Sequence, residues 1–148
     1  MEVKKVLWPT DFSSSAEKAL PYVTDLTQKY GAEIHVLYVI EDIAHGDPWY
    51  GDFEKPRVEK LMKWADKSAK KRLDQVCEKY LNSCPLYIKH IAVGDPAQEI
   101  LKLIDKERVD LVVMASHGSM GNFRFGSVAE KVLKNSSVPV TTIPIEVE

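Results

Sequence analysis

A stretch of small residues, MASHGSMGNFRFGSVAEKV, separates an apolar run from a helical pattern. It contains three glycines: Gly118, Gly121 and Gly126. Glycines leave the backbone bare, so its N–H groups can approach an anion, and a following helix adds positive charge at its N-terminus. Ser127 offers a hydroxyl there, and with Glu130 it also has the spacing of a capping box. The stretch therefore indicates a phosphate-binding loop or a tight, capped strand-to-helix connection.

Familiar catalytic and nucleotide-binding motifs do not fit this stretch. From Gly121 to Ser127 it reads G-x-x-x-x-G-S, which lacks the lysine of a P-loop, and no G-x-G-x-x-G follows the first predicted strand. HGSMG resembles a serine-hydrolase turn, but His117 stands where that motif has glycine, and neither histidine nor aspartate follows Ser119. We therefore predict no catalytic residue here and keep His117 as a possible acid–base group or phosphate contact.

Composition points to a single cytoplasmic domain over residues 1–148. The chain has 45% hydrophobic and 28% charged residues and a formal net charge of −2, which gives no electrostatic reason to expect nucleic acid as a partner. It shows neither a signal-peptide pattern nor an apolar run long enough for a membrane span. Cys77 and Cys84 fit no metal or redox spacing, so we interpret them as reduced structural thiols.

Hydrophobic periodicity predicts strands and helices in strict alternation. The predicted strands cover 3–9, 32–40, 86–93, 110–116 and 138–145. The predicted helices cover a segment within 10–31, then 57–80, a segment beginning at Pro96, and 127–135. A long surface loop is expected at 41–56 because it is rich in glycine, proline and aromatic residues.

Local signals predict where these helices begin and end. Ser14 and Glu17 have capping-box spacing at the first helix, and Gly31 suits the position just past its end. Pro21 should kink that helix because proline lacks a backbone N–H. Asp95 is the expected N-cap of the third helix, with proline following at its first position.

The alternation favours a five-stranded, parallel, doubly wound (Rossmann-like) sheet with helices on both faces. Ligands of such sheets bind beyond the carboxyl ends of the strands, where the winding direction reverses. If the reversal falls between the first and fourth strands, the facing loops are PTDFSS and MASHGSMG.

Five segments in order resemble the universal stress protein family over nearly the whole chain: KKVLWPTDFSSSAEKAL, VGDPAQEIL, DLVVMASHG, GSVAEKVL and SSVPVTTIP. The resemblance implies a binding site for adenine nucleotide, ATP or its relatives ADP and AMP. The positions matching the family's ligand contacts are Pro9, Thr10, Asp11, Val39, Met114, Ala115, His117, Gly118, Gly126, Ser127 and Val128. Asp11 could also reach a Mg²⁺ carried by the nucleotide.

The glycine pattern of the family's ATP-binding branch, G-x2-G-x9-G-[ST], is altered in two places. Ala115 stands at its first glycine, and seven residues rather than nine separate Gly118 from Gly126. If position 115 needs a left-handed backbone, alanine costs about 1–2 kcal/mol. The shorter loop changes where its amides point.

The expected function is that of an ATP-binding stress-response or regulatory protein. The resemblance also implies a homodimer paired through 138–144, where Pro139 and Pro144 limit the edge available for hydrogen bonding. Two alternatives stay open: a nucleotide-free dimeric interaction module of the same fold, and a weak ATP phosphohydrolase.

Overall fold

Five parallel strands form one sheet. The computed structural model describes residues 2–41, 55–80, 87–116 and 126–144. Its strands are β1 (Lys5–Pro9), β2 (Glu33–Ile40), β3 (Tyr87–Val93), β4 (Leu111–Ala115) and β5 (Val140–Ile143). They lie in the order β3-β2-β1-β4-β5 with every neighbouring pair parallel. The predicted doubly wound sheet is confirmed.

Helices cover both faces of this sheet. They are α1 (Ser14–Lys18), α2 (Leu20–Tyr30), α3 (Lys55–Tyr80), α4 (Pro96–Glu107) and α5 (Ser127–Asn135). The first three pack on one face, where Trp8 is fully buried, and α4 and α5 pack on the other, around Leu7 and Val112. Alternate residues of β1 point to opposite cores, as the two-residue period of a strand requires.

The winding direction reverses between β1 and β4. From β1 the chain adds β2 and then β3 on one side, and it then crosses to add β4 and β5 on the other. Parallel strands end at the same edge, so the residues that follow β1 and β4 meet where a doubly wound fold holds its ligand. The predicted position of the reversal is confirmed.

The predicted kink in the first helix is a full interruption. α1 ends at Lys18 and α2 begins at Leu20, and Pro21 lies in the first turn of α2, where its missing N–H costs nothing. Gly31 ends α2 in the left-handed conformation with φ 63°, as predicted.

The predicted Ser14–Glu17 capping box is wrong. Ser13 is the N-cap of α1, and its hydroxyl accepts the Ala16 N–H at 3.1 Å. The Asp11 carboxylate accepts the Ser13 N–H at 2.9 Å. This turn places the start of α1 one residue earlier than the sequence spacing predicted.

Two further expectations fall partly outside the described residues. Helix α3 begins at Lys55, so the last two residues of the predicted loop 41–56 are helical, and 42–54 lie outside the described ranges, as does Cys84. Cys77 is a free, buried thiol, and burial raises its pKa to about 11, so it stays protonated at neutral pH. In the parts of the chain that the structure describes, no helix combines the length and apolar character needed to cross a bilayer.

Candidate functional site

The exit of β1 is fixed by hydrogen bonds around Thr10. Thr10 is only 6% exposed, its N–H donates to the Leu37 carbonyl at 2.8 Å, and its hydroxyl accepts the Phe12 N–H at 3.0 Å. Asp11 is exposed, and one of its carboxylate oxygens holds the turn into α1 through Ser13. The residues predicted from Pro9 to Asp11 therefore form a rigid rim with a carboxylate facing solvent.

Phe12 completes this rim in an unusual backbone conformation, with φ 63°. A left-handed aromatic residue costs on the order of 1–3 kcal/mol, which its surroundings must offset. Its ring lies 4.5 Å from the Tyr38 ring, and the Arg72 guanidinium carbon lies 4.3 Å from its centroid. Sequence reasoning missed this residue, because nothing in PTDFSS marks the aromatic as the left-handed position.

Just after β4, hydrogen bonds at Ser116 join the two ends of the glycine-containing loop. The Ser116 N–H donates to the Ile143 carbonyl at 2.9 Å, and the Ser116 carbonyl accepts the Gly126 N–H at 2.8 Å. The two ends of the loop are thus tied together, and the Gly126 amide is already used. His117 and Gly118, both predicted ligand contacts, lie outside the described residues.

Ala115 does not occupy a left-handed position. It is the last residue of β4, half-buried, and it pairs in register with Ile143. Phe12 and Arg108 are the non-glycine residues with positive φ among those described. The backbone penalty considered for alanine at this position therefore does not arise.

Helix α5 begins without a side-chain cap. Gly126 is its N-cap in extended conformation (φ −75°, ψ 163°), and among the described residues no side chain caps the first turn. The first helical hydrogen bond runs from the Glu130 N–H to the Gly126 carbonyl at 3.0 Å. The three amides before it, those of Ser127, Val128 and Ala129, have no partner within the helix.

The predicted Ser127–Glu130 capping box is wrong. Ser127 is the first helical residue rather than the N-cap, because the Ser116–Gly126 bond places the cap one residue earlier. Glu130 instead pairs with Lys134 at 2.7 Å, and this hydrogen bond lowers the pKa of its exposed carboxyl. Ser127 is exposed, and its hydroxyl makes no hydrogen bond to the described part of the chain.

Apolar residues line the same edge on the face covered by α4 and α5. Met114 is 6% exposed, and Val39 and Val128 are half-buried against the same core. Val39 lies near the end of β2 and pairs with Ala92, so β1 lies between Val39 and β4 in the sheet. The sheet thus gathers the described predicted residues along one edge: Pro9, Thr10, Asp11, Val39, Met114, Ala115, Gly126, Ser127 and Val128.

The described residues contain a cavity away from this edge and no cluster suited to bind a metal ion. A shallow cavity of about 230 Å³ lies on the other side of Phe12 and is lined by Phe12, Glu17, Arg72, Gln75, Val76 and Lys79. Within residues 2–41, 55–80, 87–116 and 126–144, no cluster of three or more histidine, cysteine or acidic side chains could hold a metal ion. Asp11 is therefore not part of a protein-built metal site in the described structure.

These observations define a doubly wound α/β protein with an uncapped helix start at its topological switch point. The chain belongs to the universal stress protein family, whose model matches residues 2–144. The sequence resemblance is confirmed.

Comparisons with individual proteins agree with this assignment. Universal stress protein MJ0577 of Methanocaldococcus jannaschii is 32% identical over 157 residues, covering 95% of this chain and 94% of that protein. The solved structure of MJ0577 superposes with a TM-score of 0.86 at 29% identity and covers all of both chains.

Two more distant structures share the fold and were solved as nucleotide complexes. A universal stress protein in complex with cAMP has a TM-score of 0.66 at 16% identity and covers 97% of this chain and 98% of its own. The universal stress protein from Archaeoglobus fulgidus in complex with dAMP has a TM-score of 0.66 at 20% identity and covers 96% and 98%. Such identities establish a shared fold.

Proposed function

We propose that this chain binds an adenine nucleotide, with ATP as the preferred ligand, and acts as a stress-response or regulatory binding protein in the cytoplasm. The observation that carries the proposal is the uncapped N-terminus of α5 beside the exit of β1. Amides without a partner among the described residues and the helix dipole both favour an anion at this position. The complexes of two fold relatives with cAMP and dAMP support an adenine nucleotide as the source of that anion.

Each described residue has a role in this proposal. The amides of Ser127 and Val128 and the Ser127 hydroxyl would bind phosphate oxygens. Met114 and Val39 would contact the adenosine, with the Val39 backbone reading the adenine edge. The exposed Asp11 carboxylate repels phosphate directly, so it would act through a Mg²⁺ bound to the nucleotide.

Calorimetric titration of the full chain with adenosine, AMP, ADP and ATP, with and without Mg²⁺, tests this function. We expect affinity to increase with each added phosphate, because each charge-assisted hydrogen bond contributes about 1.5–3 kcal/mol. Equal affinity for all four would contradict the role of α5. No heat at millimolar nucleotide would favour the nucleotide-free interaction module.

The weak-phosphohydrolase alternative has its own measurement. Steady phosphate release from ATP that is lost in both Asp11→Ala and His117→Ala would support it. Unchanged release in the two variants would assign the signal to a contaminant, and nucleotide binding would remain the function.

We also propose a homodimer through 138–144, since β5 is an edge strand. The Pro139 carbonyl accepts a hydrogen bond from Val112 of β4, and the Ile143 carbonyl accepts one from Ser116 just after β4. Alternate residues of a parallel strand bond to the same neighbour, so Val140 and Thr142 present their amides outward, while Pro144 has none.

Thr142→Pro removes an outward amide and leaves the bonds to β4 in place. Light scattering at high micromolar concentration should then give a monomer, whereas the control Thr142→Val should keep the wild-type mass. A monomeric wild-type protein would refute the dimer.

A further inference from the structure

Three polar side chains form a continuous hydrogen-bonded chain on the sheet face covered by α4. His35 Nε2 lies 2.8 Å from Glu33 Oε1, and His35 Nδ1 lies 2.8 Å from His90 Nε2. His35 is only 1% exposed, and 55 residues separate it from His90 in the sequence. The pairing of β2 with β3 brings the two histidines together.

Hydrogen-bond chemistry fixes the protons in this chain. An ionised carboxylate only accepts, so the proton between Glu33 and His35 must belong to His35 Nε2. A neutral His35 then has a lone pair at Nδ1, which accepts the proton carried by His90 Nε2. Both imidazoles are therefore neutral Nε2–H tautomers when the chain is fully paired.

The hydrogen-bonded chain of Glu33, His35 and His90 can take up one proton but not two. With one added, His35 donates from both nitrogens, and His90 accepts at Nε2 and carries its own proton at Nδ1. With two added, N–H groups on both rings would face each other across 2.8 Å, and two positive rings would lie with centroids 5.1 Å apart. A second proton therefore breaks the His35–His90 bond.

Charged groups from the neighbouring elements surround this chain. From β1, Lys5 Nζ lies 3.8 Å from Glu33 Oε1 and donates to the Glu107 carbonyl of α4 at 2.9 Å. Burial lowers the pKa of His90, and His35 and Lys106 act in the same direction, while Glu107 opposes them. The chain thus links β1, β2, β3 and the end of α4.

We propose that Glu33, His35 and His90 form an acid-sensitive latch that holds the edge strand β3 to the rest of the sheet. Above neutral pH the latch is closed with both tautomers fixed. As pH falls, the first proton is shared within it, and the second opens it at the His35–His90 bond.

Linkage gives the direction and size of the effect. In the unfolded chain both histidines take up protons near their ordinary value, about pH 6.5. The folded protein with a closed latch accepts one proton fewer than the unfolded protein. Its free energy of unfolding is therefore highest above that pH and decreases as pH falls below it. One excess proton corresponds to a decrease of up to about tenfold in the folding equilibrium constant per pH unit.

Urea unfolding of the full chain between pH 8 and pH 5 tests the latch. His90→Gln removes one titrating ring but keeps a hydrogen-bond donor for His35. Below about pH 6.5, the folding equilibrium constant of the wild type should therefore decrease by up to about tenfold more per pH unit than that of His90→Gln. Asp25→Asn, a charge change in an exposed pair with Lys29 on α2, should keep the wild-type slope. Parallel curves for wild type and His90→Gln would overturn the proposal, whatever their offset.

A second measurement does not depend on stability. Nitrogen-15 spectra of the imidazoles at pH 8 should show both His35 and His90 as Nε2–H tautomers, and one shared protonation on acidification of the folded protein. An Nδ1–H tautomer at His35, or two independent protonations with the fold intact, would overturn the latch.

Discussion

Helices α4 and α5 begin at the same edge of the sheet and pack on the same face, yet their N-termini differ in chemistry. Asp95 caps α4 by accepting the Gln98 N–H at 3.1 Å, and Pro96 at the first position has no N–H to satisfy. Gly126 starts α5 with no side-chain cap. The start of α4 has a side-chain cap from its own sequence, whereas no side chain of the described residues caps the start of α5.

The rest of the first turn limits this contrast to two positions. Each helix also has a glutamate in its first turn, Glu99 in α4 and Glu130 in α5, so this position does not distinguish them. The difference lies at the cap and at the first helical residue, which are Asp95 and Pro96 in α4 but Gly126 and Ser127 in α5. Two helices in equivalent positions of one sheet thus differ at the cap and the first helical residue, which is the basis of the phosphate site proposed at α5.

Gly126→Asp should abolish the difference between the two helices and gives the largest effect expected. The new carboxylate would cap α5 and occupy the amides proposed for phosphate, and its charge would repel the nucleotide. We expect ATP affinity to fall by at least about 100-fold, or about 3 kcal/mol, measured by calorimetry. Stability in urea should rise by a few tenths of a kcal/mol.

Two control variants separate the contributions at this position. Gly126→Asn caps without charge, so it should weaken ATP less than aspartate does, and Gly126→Ala adds only a methyl group. Equal affinities for wild type and the aspartate variant would show that α5 does not hold the phosphates.

Gly94→Ala tests the glycine just before α4 and should cause the second-largest effect. Gly94 has φ 150°, and an added Cβ would lie 2.8 Å from Glu99 Oε1. We expect a loss of about 1–3 kcal/mol from the free energy of unfolding, because that backbone region is nearly restricted to glycine. Adding Glu99→Ala relieves the contact, so recovery of most of the loss would assign it to the clash rather than to the backbone.

Asp95→Ala removes the cap that distinguishes α4. Stability should fall by about 1 kcal/mol, measured by urea unfolding, while ATP affinity stays unchanged, because this helix start is not proposed to bind ligand. Asp95→Asn should retain most of the stability, since asparagine also caps. A drop in ATP affinity for the alanine variant alone would mean that both helix starts contribute to the site.

The sequence predicted the sheet and the α4 cap but placed the caps of α1 and α5 one residue too late. Periodicity and the Asp95–Pro96 pair are local signals, and they were sufficient. The other two caps are set by hydrogen bonds that sequence spacing does not reveal, from Ser13 to Asp11 and from Gly126 to Ser116.

The His35–His90 bond escaped prediction for a related reason. The histidines of the sequence are scattered over different elements, with no spacing typical of a site. Only the register of β2 against β3, which places Leu37 opposite His90, brings the two rings onto one face. Register depends on the whole packed sheet, so a linear pattern does not indicate it.

Ser127→Ala gives the smallest effect and separates a capping role from a ligand role. A capping serine would cost about 1 kcal/mol of stability on truncation, as expected for Asp95→Ala. Ser127 lies inside the helix, where alanine is the better helix former, so urea unfolding should show no loss. ATP affinity should fall by less than about tenfold, because Ser127 is exposed and water can bond to the phosphate in place of the lost hydroxyl while the amides remain. A loss of stability with unchanged affinity would restore the capping interpretation and remove Ser127 from the site.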